Sequence, residues 1–136
     1  MSTDLIAFIR ARLDEREQTA RQLSETSPGP WWLDSREAVD AVLRDANGEW
    51  VNDVWTRDVI NLPYLVQNDP AYVLADIESK RKIIDRYLAF VHLRQNQYTG
   101  PPEVIQGIRA QLLSILKEMA EVYSDHPDYQ PTWRPQ

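Results

Sequence analysis

Between residues 105 and 122 an apolar side chain recurs at every third or fourth position: Ile105, Ile108, Leu112, Ile115, Met119 and Val122. A helix turning about 100° per residue lays such a set along one side, so this stretch is predicted to be an amphipathic helix with the period of a coiled-coil seam. Thr99-Gly100-Pro101-Pro102 opens it, Glu103 sits near its positive end, and Asp125-His126-Pro127 terminates it. The polar segment that follows carries Tyr129 and Trp133 between prolines. Aromatic rings left in water forfeit a large burial term, so both are expected to fold back and make residues 124–136 an ordered tail packed on the body.

Two further helices are predicted. In the first, Ser2, Thr3 or Asp4 caps the start, and Ile6, Ile9, Leu13, Ala20 and Leu23 fall near one face. Glu17 and Arg21 have the favourable order for a pair one turn apart, and Ser27-Pro28-Gly29-Pro30 stops the helix. The second begins at Asn68-Asp69-Pro70, with Asp69 as cap and Pro70 where a missing N–H costs nothing. Val73, Ile77, Ile84, Tyr87, Leu88 and Val91 then recur at helical spacing.

Residues 31–67 form a Trp-rich insert with two open readings. Asn47-Gly48 lies between apolar segments running from Val42 to Val51, a short-range hairpin signal. Alternatively, Ser35 caps a short helix from Arg36 to Asp45 that ends at Asn47-Gly48. Trp50 to Trp55 reads as strand, and Ile60 to Val66 returns the chain to the second helix. Trp31 and Trp32 are adjacent, and neighbours on an extended segment face opposite ways, so both are not expected inside. The fold class expected is therefore mainly α: three amphipathic helices in a small bundle, with a Trp-rich β-hairpin or short helical insert, as a single domain over residues 1–136.

Composition narrows the chemistry. A net charge of −6 repels a phosphate backbone, so broad nucleic-acid binding is not expected, and the one basic cluster is Lys80, Arg81, Lys82 and Arg86. The chain has no cysteine, which excludes disulfides, thiolate metal sites and cysteine nucleophiles. The opening residues fit neither a signal peptide nor a membrane span, so a cytoplasmic protein with no membrane association is expected.

Two blocks carry a family resemblance. Asn68-Asp69-Pro70-Ala71 through Asp85 resembles the "DPAxVLxxIExKR" block of an uncharacterised family of small actinobacterial and actinophage proteins. Tyr123-Ser124-Asp125-His126-Pro127-Asp128-Tyr129 through Pro135 resembles that family's "YADHPDYxxxWRP" ending, and Phe8 to Glu15 is similar to its opening. The resemblance implies a phage or actinobacterial accessory protein and no particular activity. Many members carry cysteines and histidines before the ending, suggestive of a metal site; here Gln106 to Leu116 contains neither.

The candidate chemistry is sparse. His92 and His126 are the only histidines, and neither has a second ligand at zinc-site spacing. Asp125 and Asp128 lie beside His126, placed to accept its N–H or help hold a hard cation, and a metal-dependent hydrolase would join this turn to carboxylates from another helix; the structural reading has His-Pro shape the turn with its ring near Tyr129. Acidic pairs such as Asp14-Glu15 read as solvated charge, and no Gly-rich phosphate loop is present. Charge pairing along the helix competes with phosphate contact as the use of Lys80, Arg81, Lys82 and Arg86.

The expectation is a non-enzymatic protein-binding or assembly accessory protein, phage-encoded and modulating a host protein in the host cytoplasm. Trp31, Trp32, Tyr129 and Trp133 are its candidate partner-binding residues. No catalytic residue, metal ligand or cofactor is assigned, and the regular helical seam is compatible with a homodimer. The alternatives are a small metal-dependent hydrolase at the His126 turn and a nucleic-acid-binding protein using residues 80–86.

Overall fold

The computed structural model describes residues 2–34, 42–51, 62–96 and 98–136, and helices dominate it. In chain order the elements are α1 (Ser2–Thr26), β1 (Trp32–Asp34), β2 (Val42–Arg44), α2 (Leu62–Gln67), α3 (Pro70–Asn96), α4 (Pro102–Glu121) and a 3-10 turn, η1 (Pro131–Trp133). The mainly helical class with a small antiparallel sheet agrees with the periodicity of the sequence. The chain divides into two compact units, Met1–Asp14 with Ser79–Gln136 and Glu15–Glu78. The boundaries fall inside the long helices α1 and α3, where no linker composition marks them, so the sequence reads as one domain.

In the first unit, the start of α1 buries Leu5, Ile6, Phe8, Ile9 and Leu13. Three- and four-residue spacing brings these side chains to one stripe. From α3 come Ile84 and Tyr87, and from α4 Ile105, Leu116 and Ala120. Phe8 is the hub. Its ring meets Tyr123, His126 and Tyr129 edge to face at centroid distances of 6.4, 5.7 and 5.9 Å, and Trp133 at 5.1 Å. Tyr129 and Trp133 are perpendicular to each other at 5.8 Å, and both are buried. The Arg12 guanidinium caps the cluster 5.2 Å from the Phe8 centroid. Backbone turns wind the tail around this hub: the His126, Tyr129 and Trp133 N–H groups donate to the carbonyls of Tyr123, His126 and Gln130, each at 2.9 Å.

α4 differs from the predicted seam. Ile105 is buried and Leu112 and Met119 are half-buried, but Ile108, Ile115 and Val122 are exposed. A seam of period 3.5 is shared between two sides of a helix, and the body of the unit covers only one of them.

The second unit is built on Asp69. Its Oδ1 accepts the Tyr72 N–H at 2.9 Å and so caps α3, with Pro70 at the first helical position. Its Oδ2 accepts the Trp31 N–H at 3.0 Å, and the carboxylate is 4% exposed. The Trp31 indole donates Nε1–H to the Ser27 carbonyl at 2.8 Å and packs with Leu43, Val51 and Leu62, flanked by Leu65 and Val66. Gly29 is required here, because a Cβ would lie 2.7 Å from the Ala71 Cβ and 2.8 Å from Asp69 Oδ1.

β1 and β2 are antiparallel, with Trp32 opposite Arg44, Leu33 opposite Leu43 and Asp34 opposite Val42. The strand at Val42–Arg44 removes the helical alternative over its last residues, while Ser35 to Ala41 lie outside the described residues, as do Asn52 to Asn61, including Trp55. The chain turns back at Asn47-Gly48, and Arg44 bridges Trp50 in antiparallel fashion. The six-residue helix α2, Leu62–Gln67, escapes a reading based on periodicity because it spans under two turns.

Phe8→Ala should remove the hub and cost about 3–5 kcal/mol, as expected for a buried aromatic. Thermal melting measures the loss, and hydrogen exchange should localise the gain in opening to residues 123–133. Asp69→Ala loses a helix cap worth about 1 kcal/mol and leaves the Trp31 N–H buried without its acceptor, at about 1–3 kcal/mol more. Urea denaturation should report a shift of that combined size, whereas an effect below about 1 kcal/mol would contradict the anchoring role.

Candidate interaction surface

The hairpin loop is organised by a second buried carboxylate. Asp45 is 1% exposed, and its Oδ1 accepts the Asn47 N–H at 2.8 Å and the Glu49 N–H at 3.1 Å. The Gly48 N–H donates to the Asp45 carbonyl at 3.0 Å, and the Asp45 N–H donates to the Glu49 carbonyl at 2.9 Å. Gly48 has φ 80°, the left-handed conformation that a three-residue hairpin loop needs at its last position. Asp45 thus stitches the loop from inside it, and its carbonyl also accepts the Trp32 indole N–H at 3.1 Å.

Strand pairing sorts the neighbouring side chains onto two faces. Residues directly opposite in an antiparallel pair project to the same side. Leu33, Leu43 and Val51 share one face, and Leu43 and Val51 enter the core with Leu62. Trp32, Arg44 and Trp50 form a row on the other. Trp32 is 38% exposed and Trp50 62% exposed. Between them the Arg44 guanidinium is fixed, with Nε donating to Asp34 Oδ2 at 2.7 Å and Nη1 to the Gly48 carbonyl at 2.9 Å. Asp34 is buried, so this ion pair is largely shielded from water. The row therefore presents two indoles and an arginine on a positioned backbone, the residue types that most often anchor protein contacts.

The other predicted site residues fall elsewhere. Trp31, one of the four candidate partner-binding aromatics, lies in the core of its unit, and Tyr129 and Trp133 are buried against Phe8; only Trp32 of that set is on the surface. Trp50 joins it, and the sequence held the signal: a turn at Asn47-Gly48 pairs Trp50 with Arg44, which in turn sits across from Trp32.

Of the basic cluster, Arg81 is paired with Asp14 at 2.6 Å, beside Arg10, which lies 4.0 Å from Asp85. Lys80 and Lys82 also have interactions of their own, and Arg86 is exposed. The charge of Arg81 is thus matched by a carboxylate from α1.

At the His126 turn, the Arg12 guanidinium contacts Nε2, and the Asp128 N–H donates to Nδ1 at 3.1 Å. A neutral imidazole has one lone pair to offer, and both of its nitrogens already face donors. Among the described residues, no three His, Asp or Glu side chains are grouped to hold a metal ion.

With this geometry in view, comparison with known proteins places the chain. A family model described as "Family of unknown function (DUF6221)" matches residues 2–135. The chain belongs to that family. The match takes in the α1 hub, the hairpin and the aromatic ending of this family member together. No curated protein and no solved structure matched it. Among the described residues, no helix is long and apolar enough to cross a membrane.

Asp45→Ala should unstitch the loop and lower stability by about 2–3 kcal/mol, since two backbone donors and a buried position lose their acceptor. Trp50→Ala, removing a side chain already 62% exposed, should stay within about 0.5 kcal/mol of the parent. Chemical denaturation of the two variants checks the contrast.

Proposed function

We propose that this protein is a non-enzymatic, protein-binding accessory protein that engages its partner through the Trp32–Arg44–Trp50 row. The observation that carries this reading is the exposure of two indoles on a hairpin whose loop is ordered by a buried aspartate. Docking a partner on the row would release water from both rings while Arg44 is already held, so little side-chain ordering remains to be supplied on binding. The resemblance to actinobacterial and actinophage proteins suggests a phage accessory role directed at a host protein in the host cytoplasm.

The competing chemistries draw less support. The His126 ring faces donors at both nitrogens, which leaves a hydrolytic metal without its ligand. Arg81 is committed to Asp14, which weakens the case for phosphate binding on residues 80–86.

Affinity purification from an actinobacterial lysate, run in parallel with the parent and with Trp32→Ala and Trp50→Ala variants, tests the reading. A stoichiometric protein captured by the parent and reduced at least tenfold by either variant is expected. Equal recovery by both variants, with folding intact by circular dichroism, overturns the assignment of the row.

A further inference from the structure

The hairpin ladder sets the separation of the two exposed indoles. Arg44 and Trp50 face each other without exchanging backbone hydrogen bonds. The bonds fall on either side of the pair, from the Val51 N–H to the Leu43 carbonyl and from the Asp45 N–H to the Glu49 carbonyl. The Cα atoms of such a pair stand about 4.5 Å apart. The alternation of an antiparallel ladder then makes Arg44 and Trp32 the hydrogen-bonded kind of pair, with Cα atoms about 5.5 Å apart. Trp32 and Trp50 thus leave the backbone on one face about 10 Å from each other.

Charge and hydrogen bonding add two further constraints. The Arg44 charge is already matched by the buried Asp34 carboxylate, and the arginine side chain is only 18% exposed. An uncharged segment therefore complements the row, whereas a carboxylate or phosphate would lose its water and have to compete with Asp34. The Trp32 indole N–H is taken by the Asp45 carbonyl, but among the described residues nothing accepts the Trp50 indole N–H. The row thus offers one available donor, and a ligand that answers it must bring an unused acceptor.

A polyproline II segment meets all three conditions. Its residues return to one side at every third position, about 9.3 Å along, and its carbonyls make no bonds within the segment. An α-helix reaches a similar spacing, about 10.5 Å, between residues seven apart, but its carbonyls are consumed internally. An extended strand has carbonyls to offer, yet its side chains recur on one face at about 6.8 Å. Resting on the reading of the row as a binding surface, we infer that the partner presents an uncharged, proline-rich segment in the polyproline II conformation. Prolines three residues apart sit on Trp32 and Trp50, and a carbonyl between them accepts the Trp50 indole N–H. Proline suits both seats, because its ring packs on an indole and its fixed φ leaves less conformational freedom to lose on binding.

Two fluorescein-labelled 12-residue peptides of identical composition, four prolines with alanine and serine, probe the row by fluorescence anisotropy against the whole protein. One has proline at every third position and the other at alternate positions. The first should bind at micromolar concentration and at least fivefold more tightly than its isomer. Trp32→Ala and Trp50→Ala should each weaken it at least tenfold, with circular dichroism like that of the parent. Trp50→Phe keeps a ring but removes the N–H, and should weaken it at least threefold. In nitrogen-15-labelled protein the peptide should shift the indole signal that Trp50→Phe removes and leave that of Trp31, held by the Ser27 carbonyl, in place. Equal binding of the two isomers, or indifference to Trp50→Phe, overturns the inference. A lysate protein lost on Trp50→Ala while neither peptide binds also overturns it and keeps the row as the docking surface. Failure of the row itself shows instead as lysate capture indifferent to both tryptophans.

Discussion

A single buried carboxylate sets the second unit in place. Asp69 satisfies two backbone donors from distant parts of the sequence, the N–H at the start of α3 and that of Trp31, one with each oxygen. A charged group removed from water is tolerable only when its hydrogen bonds are made, and here the same bonds that solve that problem fix where Trp31 enters. From Trp31 the geometry propagates. Its indole is held by the Ser27 carbonyl and packed on Leu43, Val51 and Leu62, so the next residue, Trp32, faces outward. The exposed row is thus a consequence of how its neighbour is buried.

The first unit solves a different problem with rings. A chain end rich in proline and polar residues has few regular hydrogen bonds with which to dock. Here Phe8 offers its faces and edges to four aromatic or imidazole partners, Tyr123, His126, Tyr129 and Trp133. Edge-to-face contacts set ring direction as well as burial, which lets a short irregular segment hold one arrangement. His126 is used within this scheme, between Arg12 and the Asp128 N–H. The same ring packs edge to face on Phe8.

Much of this was legible in local chemistry. The starts and stops of α1, α3 and α4 follow from caps, prolines and glycines close in sequence, and the Asn47-Gly48 turn follows from the φ that Gly48 adopts. The surface was less legible. Of the four aromatics expected to meet a partner, only Trp32 lies outside the core, and although the Asn47-Gly48 turn sets Trp50 opposite Arg44, its exposure is decided by packing. Composition gives each indole the same appetite for burial and cannot say which neighbours will satisfy it.

By itself the sequence determined the helical periods, their termini and the excess of negative charge, because each rests on interactions within a turn or two of the chain or on a plain sum. Only the tertiary structure decided which side of α4 is covered, which of Trp31 and Trp32 is inside, and that Arg44 stands between two indoles. Those outcomes depend on pairings between residues far apart along the chain, such as Asp69 with Trp31 and Phe8 with Trp133. Local pattern supplies an apolar face, and the choice of what that face meets is made by packing.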